Sequence, residues 1–424
     1  MFMRKVALAT TIATLAGAAH AGPDSFRDAR SFAMGGTGVA AARASSASFF
    51  NPALLSVKQN DEHDDFGLTL PSVNARVADD EEVVDTIDDV QDQIDRFETA
   101  IDNYNPITES GKQEVVDSGT ELLDSLRAID GDAMRADVGL GLGLTLPSQR
   151  LAVGFFADST LRAGVQGTLD QQDEDLLQEV IDNVDNGTPA ERAATAVKAN
   201  NHSFQSKGRV IAAAQVEAGL TFATELDVQG NRLAIGISPK YVELRTFDFS
   251  ETVDTFDEND FDSDEYETSD TFVNADIGAA YQFGQADQWT AGLSVRNLVP
   301  MDLKTVNGDK VEVNPLVRAG IAHSSEWHTL TVDLDLTKTE AFGFLDETQW
   351  LAVGGEFDIY DTLQLRAGVR HNLAGSDDAA TGIEEDTQLT AGLGFSPFGA
   401  RVEVSGLVGG DGEVGAAAEL GVNF

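Results

Sequence analysis

The sequence predicts an all-β fold: a fourteen-stranded antiparallel transmembrane barrel of the outer-membrane kind, with an amino-terminal plug and a partly helical extracellular insertion. Three observations carry this. Apolar residues recur with a period of two along fourteen segments, the connections between those segments alternate long and short, and charge is sorted onto one face. The clearest segment is 138–146, where Val138, Leu140, Leu142, Leu144 and Leu146 alternate with glycine or threonine. Such alternation places every apolar group on one face of a strand.

The first 21 residues read as a signal peptide. Arg4 and Lys5 form a basic start, Val6 to Ala18 an apolar stretch too short to span a bilayer, and Ala19-His20-Ala21 a small-x-small cleavage site. Such a peptide, cleaved after Ala21, takes the chain out of the cytoplasm, and with the barrel pattern the expected location is the outer membrane of a Gram-negative bacterium. Residues 22–60 follow as the candidate plug, and 61–424 as the barrel.

The strands then come in order. A first lies at Phe66/Leu68/Leu70, and the second is 138–146. Others follow at Leu151/Phe155, Val216/Phe222, Leu233/Tyr241, Val273/Phe283, Trp289/Val295, Val317/Ile321 and Leu330/Leu336. The last five are Leu351/Ile359, Leu363/Val369, Leu389/Phe395, Val402/Val408 and Val414/Phe424. The connections near 78–134, 163–207 and 248–270 are long, whereas Pro147-Ser148, Asp227–Gly230 and Gly284–Asp287 are short. A barrel with tight periplasmic turns on one rim and extracellular loops on the other has this rhythm. Residues out of phase with the apolar set include Arg296, Arg318, Asp333, Asp335, Glu356, Arg366 and Arg370. The in-phase face is nearly free of charge, as a lipid-facing surface requires, since Arg or Lys at mid-membrane costs roughly 2–4 kcal/mol. Positive and negative lumen groups occur in equal number, which implies pairing, because unpaired buried charge is very costly.

The 424 residues include 72 Asp+Glu, 28 Lys+Arg and no cysteine. Disulfides and thiol chemistry are thereby excluded, and a net charge of −44 argues against a nucleic-acid partner. The acid lies in the loops. Residues 78–134 hold 18 acidic and 3 basic residues, and 248–270 hold 11 acids and no base, with further excess in 163–207 and 374–387. The run Asp257–Glu265 lacks the spacing of a calcium loop and reads as a solvated acidic loop, so no metal or cofactor is expected. Val83, Ile87, Val90, Ile94, Phe97 and Ile101 mark one face of an amphipathic helix, and Val115, Leu122, Leu126 and Ile129 a second. A helical hairpin over the barrel mouth follows, and its outer face is the candidate surface for an external partner.

No catalytic motif appears. His328 and His371 sit where a rim hydrolase would place its base, but no serine has supporting spacing, so no enzyme is expected. Pro239 interrupts the fifth strand and is a candidate kink. The terminal Phe424, in phase with Val422 and Leu420, resembles the carboxy-terminal signal read by the barrel assembly machinery.

Between the signal peptide and the first strand, Ala33-Met34-Gly35-Gly36-Thr37-Gly38 is followed by Ala47-Ser48-Phe49-Phe50-Asn51-Pro52-Ala53. This pair of motifs resembles the FadL-like long-chain fatty acid transporter superfamily, nearest to the group labelled conjugal transfer protein TraF, distinct from the thioredoxin-like protein of the same name. The resemblance implies a hatch folded into the lumen, built on Met34, Gly35, Gly36, Gly38, Asn51, Pro52 and Ala53. It implies passage of small hydrophobic compounds across the outer membrane, with bilayer lipid and a hydrophobic ligand as partners. A strand kink at Pro239 would then open a lateral exit. The alternative is an accessory structural or interaction protein of conjugative transfer or envelope assembly. The charged lumen and acidic loops depart from what an anionic lipid needs.

Overall fold

The computed structural model describes residues 26–57, 66–79, 83–228, 230–253, 264–343, 346–360, 362–374 and 385–423. The signal peptide with its Ala21 cleavage site, the acidic run 257–263, most of the 374–387 loop and Phe424 lie outside them.

Among the described residues sixteen strands form: β1 (Gly67–Asp79), β2 (Ala133–Leu146), β3 (Ala152–Thr168), β4 (Lys207–Val228), β5 (Asn231–Thr252), β6 (Glu267–Phe283), β7 (Trp289–Arg296), β8 (Met301–Lys304), β9 (Lys310–Val313), β10 (Leu316–Ser324), β11 (His328–Asp335), β12 (Trp350–Ile359), β13 (Leu363–Asn372), β14 (Thr387–Phe395), β15 (Ala400–Val408) and β16 (Val414–Asn423). All but β8 and β9 pair with their sequence neighbours in one antiparallel barrel, which closes where β1 pairs with both β16 and β2. Closure leaves no ladder edge, the condition for placing strands in lipid. No helix among the described residues is long and apolar enough to cross a membrane. These fourteen strands are the fourteen segments read from the alternation.

The faces sort as expected. Leu140, Leu142 and Leu144 are exposed on the outer wall, whereas the intervening glycines face inward. Towards the short-turn rim the outer wall carries a ribbon of rings. Tyr281, Phe283, Trp289, His323, His328, Trp327 and Phe357 touch in sequence across five strands, with centroids 4.2 to 6.3 Å apart. An aromatic girdle at a membrane interface has this form.

The wall is uneven in height. β4 and β5 run 22 residues each, about 70 Å at a strand's rise, so they stand well clear of a bilayer at the long-connection rim. There four helices form a cap: α3 (Val83–Asn103), α4 (Lys112–Ala128), α5 (Gln171–Asn186) and α6 (Pro189–Ala199). Val90, Ile94, Phe97 and Ile101 share one buried core with Leu122, Leu126, Leu176 and Val180. Segment 163–207, read above as a loop, therefore supplies the end of β3 and half of this cap. The missed signals were Leu176/Val180/Val184 at helical spacing and a capping box, in which Thr188 and Glu191 satisfy each other's backbone amides around Pro189.

Candidate functional site

The lumen holds the plug. Two short helices, α1 (Ala29–Ala33) and α2 (Ala47–Phe50), are joined by tight turns, and every residue from 26 to 57 is buried except the partly exposed Gly36 and Arg43. Asp28 caps α1 by accepting from the Ser31 amide at 2.6 Å. Behind α1 the chain reverses through Gly35 and Gly36, both at positive φ (72° and 88°), where a side chain would be strained.

The motif residues are brought together against the wall. Asp333 accepts from the Gly38 and Val39 amides at 2.7 and 2.8 Å. Asn51 accepts from the Ala53 amide, and its side-chain amide donates to Val39 (2.8 Å) and to Ala279 of β6 (3.1 Å). One asparagine thus caps the Pro52–Ser56 turn, ties the two halves of the plug and docks them on the barrel. The wall is hollowed to receive them. A Cβ on Gly368 would lie 2.3 Å from the Gly35 nitrogen, one on Gly354 2.4 Å from the Met34 carbonyl, and one on Gly278 1.9 Å from Asn51.

Plug and wall are joined by ion pairs. Glu356 accepts from Arg30 of the plug at 2.9 Å and from Arg366 of the wall at 2.5 Å, while Arg43 of the plug bridges Glu356 (3.3 Å) and Glu403 (2.6 Å). A second group sets Lys240 between Glu217 (2.8 Å) and Asp276 (2.9 Å), with Arg296 on Glu217 at 3.0 Å and Arg27 paired with Asp158. Nearer the long-connection rim, Arg76, Arg135 and Arg162 share Asp137, Glu385 and Glu413. Burial pushes the Glu385 carboxyl up, but Arg135, Arg76 and Arg162 outweigh it and hold the group well below the usual carboxylate range. That carboxylate therefore keeps its contacts at any pH above the ordinary carboxylate range, and the stability it supplies is lost only as pH falls through its depressed value. Arg318 pairs with Asp335, and the Arg370 guanidinium lies 4.0 Å from the ring centroids of both Phe26 and Trp350.

Every lumen charge named from the sequence is placed inward. What the strand pattern did not reveal is that the plug's own Arg27, Arg30 and Arg43 complete the pairing. A gap lined by Phe26, Phe49, Trp350 and Arg318 measures about 20 Å³, room for a single water.

Three comparisons bear on this plugged barrel. A family model described as "F plasmid transfer operon, TraF, protein" matches residues 48–335, well over half of the chain. The chain belongs to this family. No curated protein sequence matches it. Among solved structures, a TodX deltaS2S3 mutant monoaromatic hydrocarbon channel aligns at 12% identity over 94% of this chain and 99% of its own, with a TM-score of 0.52. A Pseudomonas aeruginosa FadL homologue aligns at 10% over 96% and 99%, with a TM-score of 0.51. The Pseudomonas putida toluene transporter TodX aligns at 12% over 96% and 100%, with a TM-score of 0.50. At such identities the likeness is one of fold: this TraF-family chain is a FadL-like barrel.

The TraF-family match spans the plug's Asn51-Pro52-Ala53, the cap and the barrel from β1 to β11. Within it, β5 runs through Pro239, the candidate kink. The β4–β5 ladder is interrupted there, between Gly219↔Lys240 and Phe222↔Ile237, while the register is the same on both sides and β5–β6 pairing runs through Pro239; a proline lacks the ladder donor without changing the residue count. A change of register lies at Leu70–Pro71, where β1 shifts against both β16 and β2, the mark of a bulge. The rim serine judged absent from spacing also exists. Ser325 Oγ lies 2.7 Å from His328 Nδ1, and His328 Nε2 lies 3.1 Å from His323 Nδ1. Ser325 also accepts from the His328 amide at 3.3 Å, so it closes the β10–β11 turn as its short side chain suits.

Proposed function

We propose that this TraF-family barrel is a gated passage for small apolar compounds, set in the outer membrane with the short turns towards the periplasm and the helical cap outside. The observation that carries this is the layering of the inner wall of β3–β6. Near the short turns, Phe49, Phe50, Leu54 and Leu55 of the plug cover inward Ala152, Phe156, Ala223, Ala234 and Ala280. At mid-height lies the group of Asp158, Glu217, Lys240 and Asp276. Above it, Ile211, Ala213, Val242 and Leu244 form a second inward apolar surface. A barrel with only a structural role has no need of two inward apolar surfaces, since lumen faces are ordinarily polar. The mid-height charges set the barrier to movement between them, and the plug, held by polar contacts, is what must shift. The named channels for toluene and other monoaromatic hydrocarbons share the fold and suggest the class of compound.

Uptake of labelled toluene and oleate by a host lacking its own transporter tests the proposal, with the folded barrel verified by heat-modifiable gel migration. Uptake above the empty-vector control is expected for toluene. No uptake of either compound from a folded barrel overturns it.

The helical cap favours a second reading, an accessory protein of conjugation or the envelope that binds a partner through the cap. The test has to remove both insertions, because excising 78–134 alone would strip the cover from Leu176 and Val180. A barrel with 83–128 and 171–199 each replaced by a short linker should keep uptake under the passage reading. Under the accessory reading it should lose the supported process, read as conjugation frequency or envelope integrity, with uptake irrelevant.

A further inference from the structure

Between β7 and β10 the chain does something a plain loop would not. Residues 297–315 fold inward as the β8–β9 hairpin, whose ladder is entirely internal and joins no barrel strand. Its residues alternate. Met301, Val311 and Val313 are buried, with Leu303 packed beside them, against Ile211, Ala213, Val242 and Leu244 of the wall. Asp302, Lys310 and Glu312 face outward, and Lys310 pairs with both carboxylates. Pro300 and Pro315 bracket the hairpin, and its foot is fixed to β6, where Asn297 and Val299 donate to Asp276 and Asn274 at 2.8 and 3.0 Å. The tip is held by side chains. The buried Asp248 accepts from Thr305 at 2.7 Å and from Arg209 at 2.7 and 3.0 Å, and Arg209 in turn reaches Asp309 on the hairpin.

We infer that this hairpin is a latched lid, and that the wall it covers is a binding site for an uncharged apolar molecule. The hairpin can lift as a unit about its two prolines without breaking a single barrel ladder bond. What holds it down is an apolar contact that such a molecule would replace, a polar latch at Asp248, and the Thr268 hydroxyl of β6, which donates to the Lys304 carbonyl at 2.6 Å. Lifting it uncovers the upper apolar surface directly above the Glu217–Lys240–Asp276 group. The inference rests on the passage reading for its purpose, but its motion is measurable without transport.

The native chain has no cysteine, so introduced thiols report alone. On whole cells, Val311→Cys should react slowly with a membrane-impermeant maleimide, while the outward Asp302→Cys control reacts fast. Adding toluene, or adding Asp248→Asn, should speed Val311→Cys labelling about tenfold, the shift expected when hydrogen bonds to a charged group are lost or a competing ligand is supplied. Labelling of Val311→Cys that neither treatment changes, with the control reacting normally, overturns the lid. A Thr305→Cys/Asp248→Cys pair tests its role: oxidation should abolish toluene uptake and reduction restore it. Uptake indifferent to oxidation also overturns the lid while leaving passage intact. No uptake by the native barrel refutes passage, and Val311→Cys labelling then decides the lid by itself. If the double variant does not show heat-modifiable migration, the same labelling decides.

Discussion

Glu356→Ala should destabilise the folded barrel by roughly 3–5 kcal/mol, the cost of stranding buried charge by removing one partner. Glu356 is nearly inaccessible and is shared by Arg30, Arg43 and Arg366, two of them on the plug. The alanine leaves Glu403 to satisfy Arg43 and Arg366 and leaves Arg30 without its bidentate acceptor. The temperature at which the compact gel form converts to the unfolded form should fall, and a protease added from the periplasmic side should cut the plug of the variant but not of the native protein. Glu356→Gln, which keeps the shape and drops the charge, should lose most of the same stability. A conversion temperature unchanged in both variants would show that plug and wall are not joined through this group.

The second large effect is steric. Gly368→Leu should expel the plug while leaving the barrel closed, because its Cβ would lie 2.3 Å from the backbone of Met34 and Gly35 and neither backbone can yield in a close-packed lumen. Gly35 resists compensation, since its positive φ (72°) leaves the turn no alternative path. Small-solute influx, read as sensitivity to an antibiotic normally held out, should rise about tenfold or more, the effect of any loss beyond ~1.4 kcal/mol in plug seating. Asn51→Ala, which removes hydrogen bonds without a clash, should give a smaller rise. Influx equal to native in a folded Gly368→Leu barrel would mean that something other than the plug seals the lumen.

Much of this was legible in advance, and the residues show why. In a barrel each strand faces lipid on one side and lumen on the other, so Leu140, Leu142 and Leu144 reveal their orientation by their own spacing. The charges at Asp333, Glu356 and Arg366 are assigned inward by the same phase. Local rules of this kind need no knowledge of neighbours. The β8–β9 hairpin follows the same alternation at Met301/Leu303 and Val311/Val313, but four-residue strands fall below the length at which a period of two stands out. The helices α5 and α6 carried the same kind of signal as α3 and α4, Leu176/Val180/Val184 at helical spacing and a capping box at Thr188 and Glu191, but on a shorter apolar face.

The sequence by itself determined the strand count, the inner and outer faces, the parity of the connections and the small-residue character of the plug, since each depends on residues within one strand or turn. Only the tertiary structure decided that Arg27, Arg30 and Arg43 of the plug complete the charge pairing of the wall, and that Gly278, Gly354 and Gly368 mark the depth of its seat. It also decided that β1 shifts register at Leu70–Pro71, and that residues 297–315 fold as a hairpin onto the inner wall of β4 and β5. Each of these joins segments tens to hundreds of residues apart. Their partners are set by the register of neighbouring strands and the path of the plug through the lumen, and no local pattern in the chain encodes that geometry.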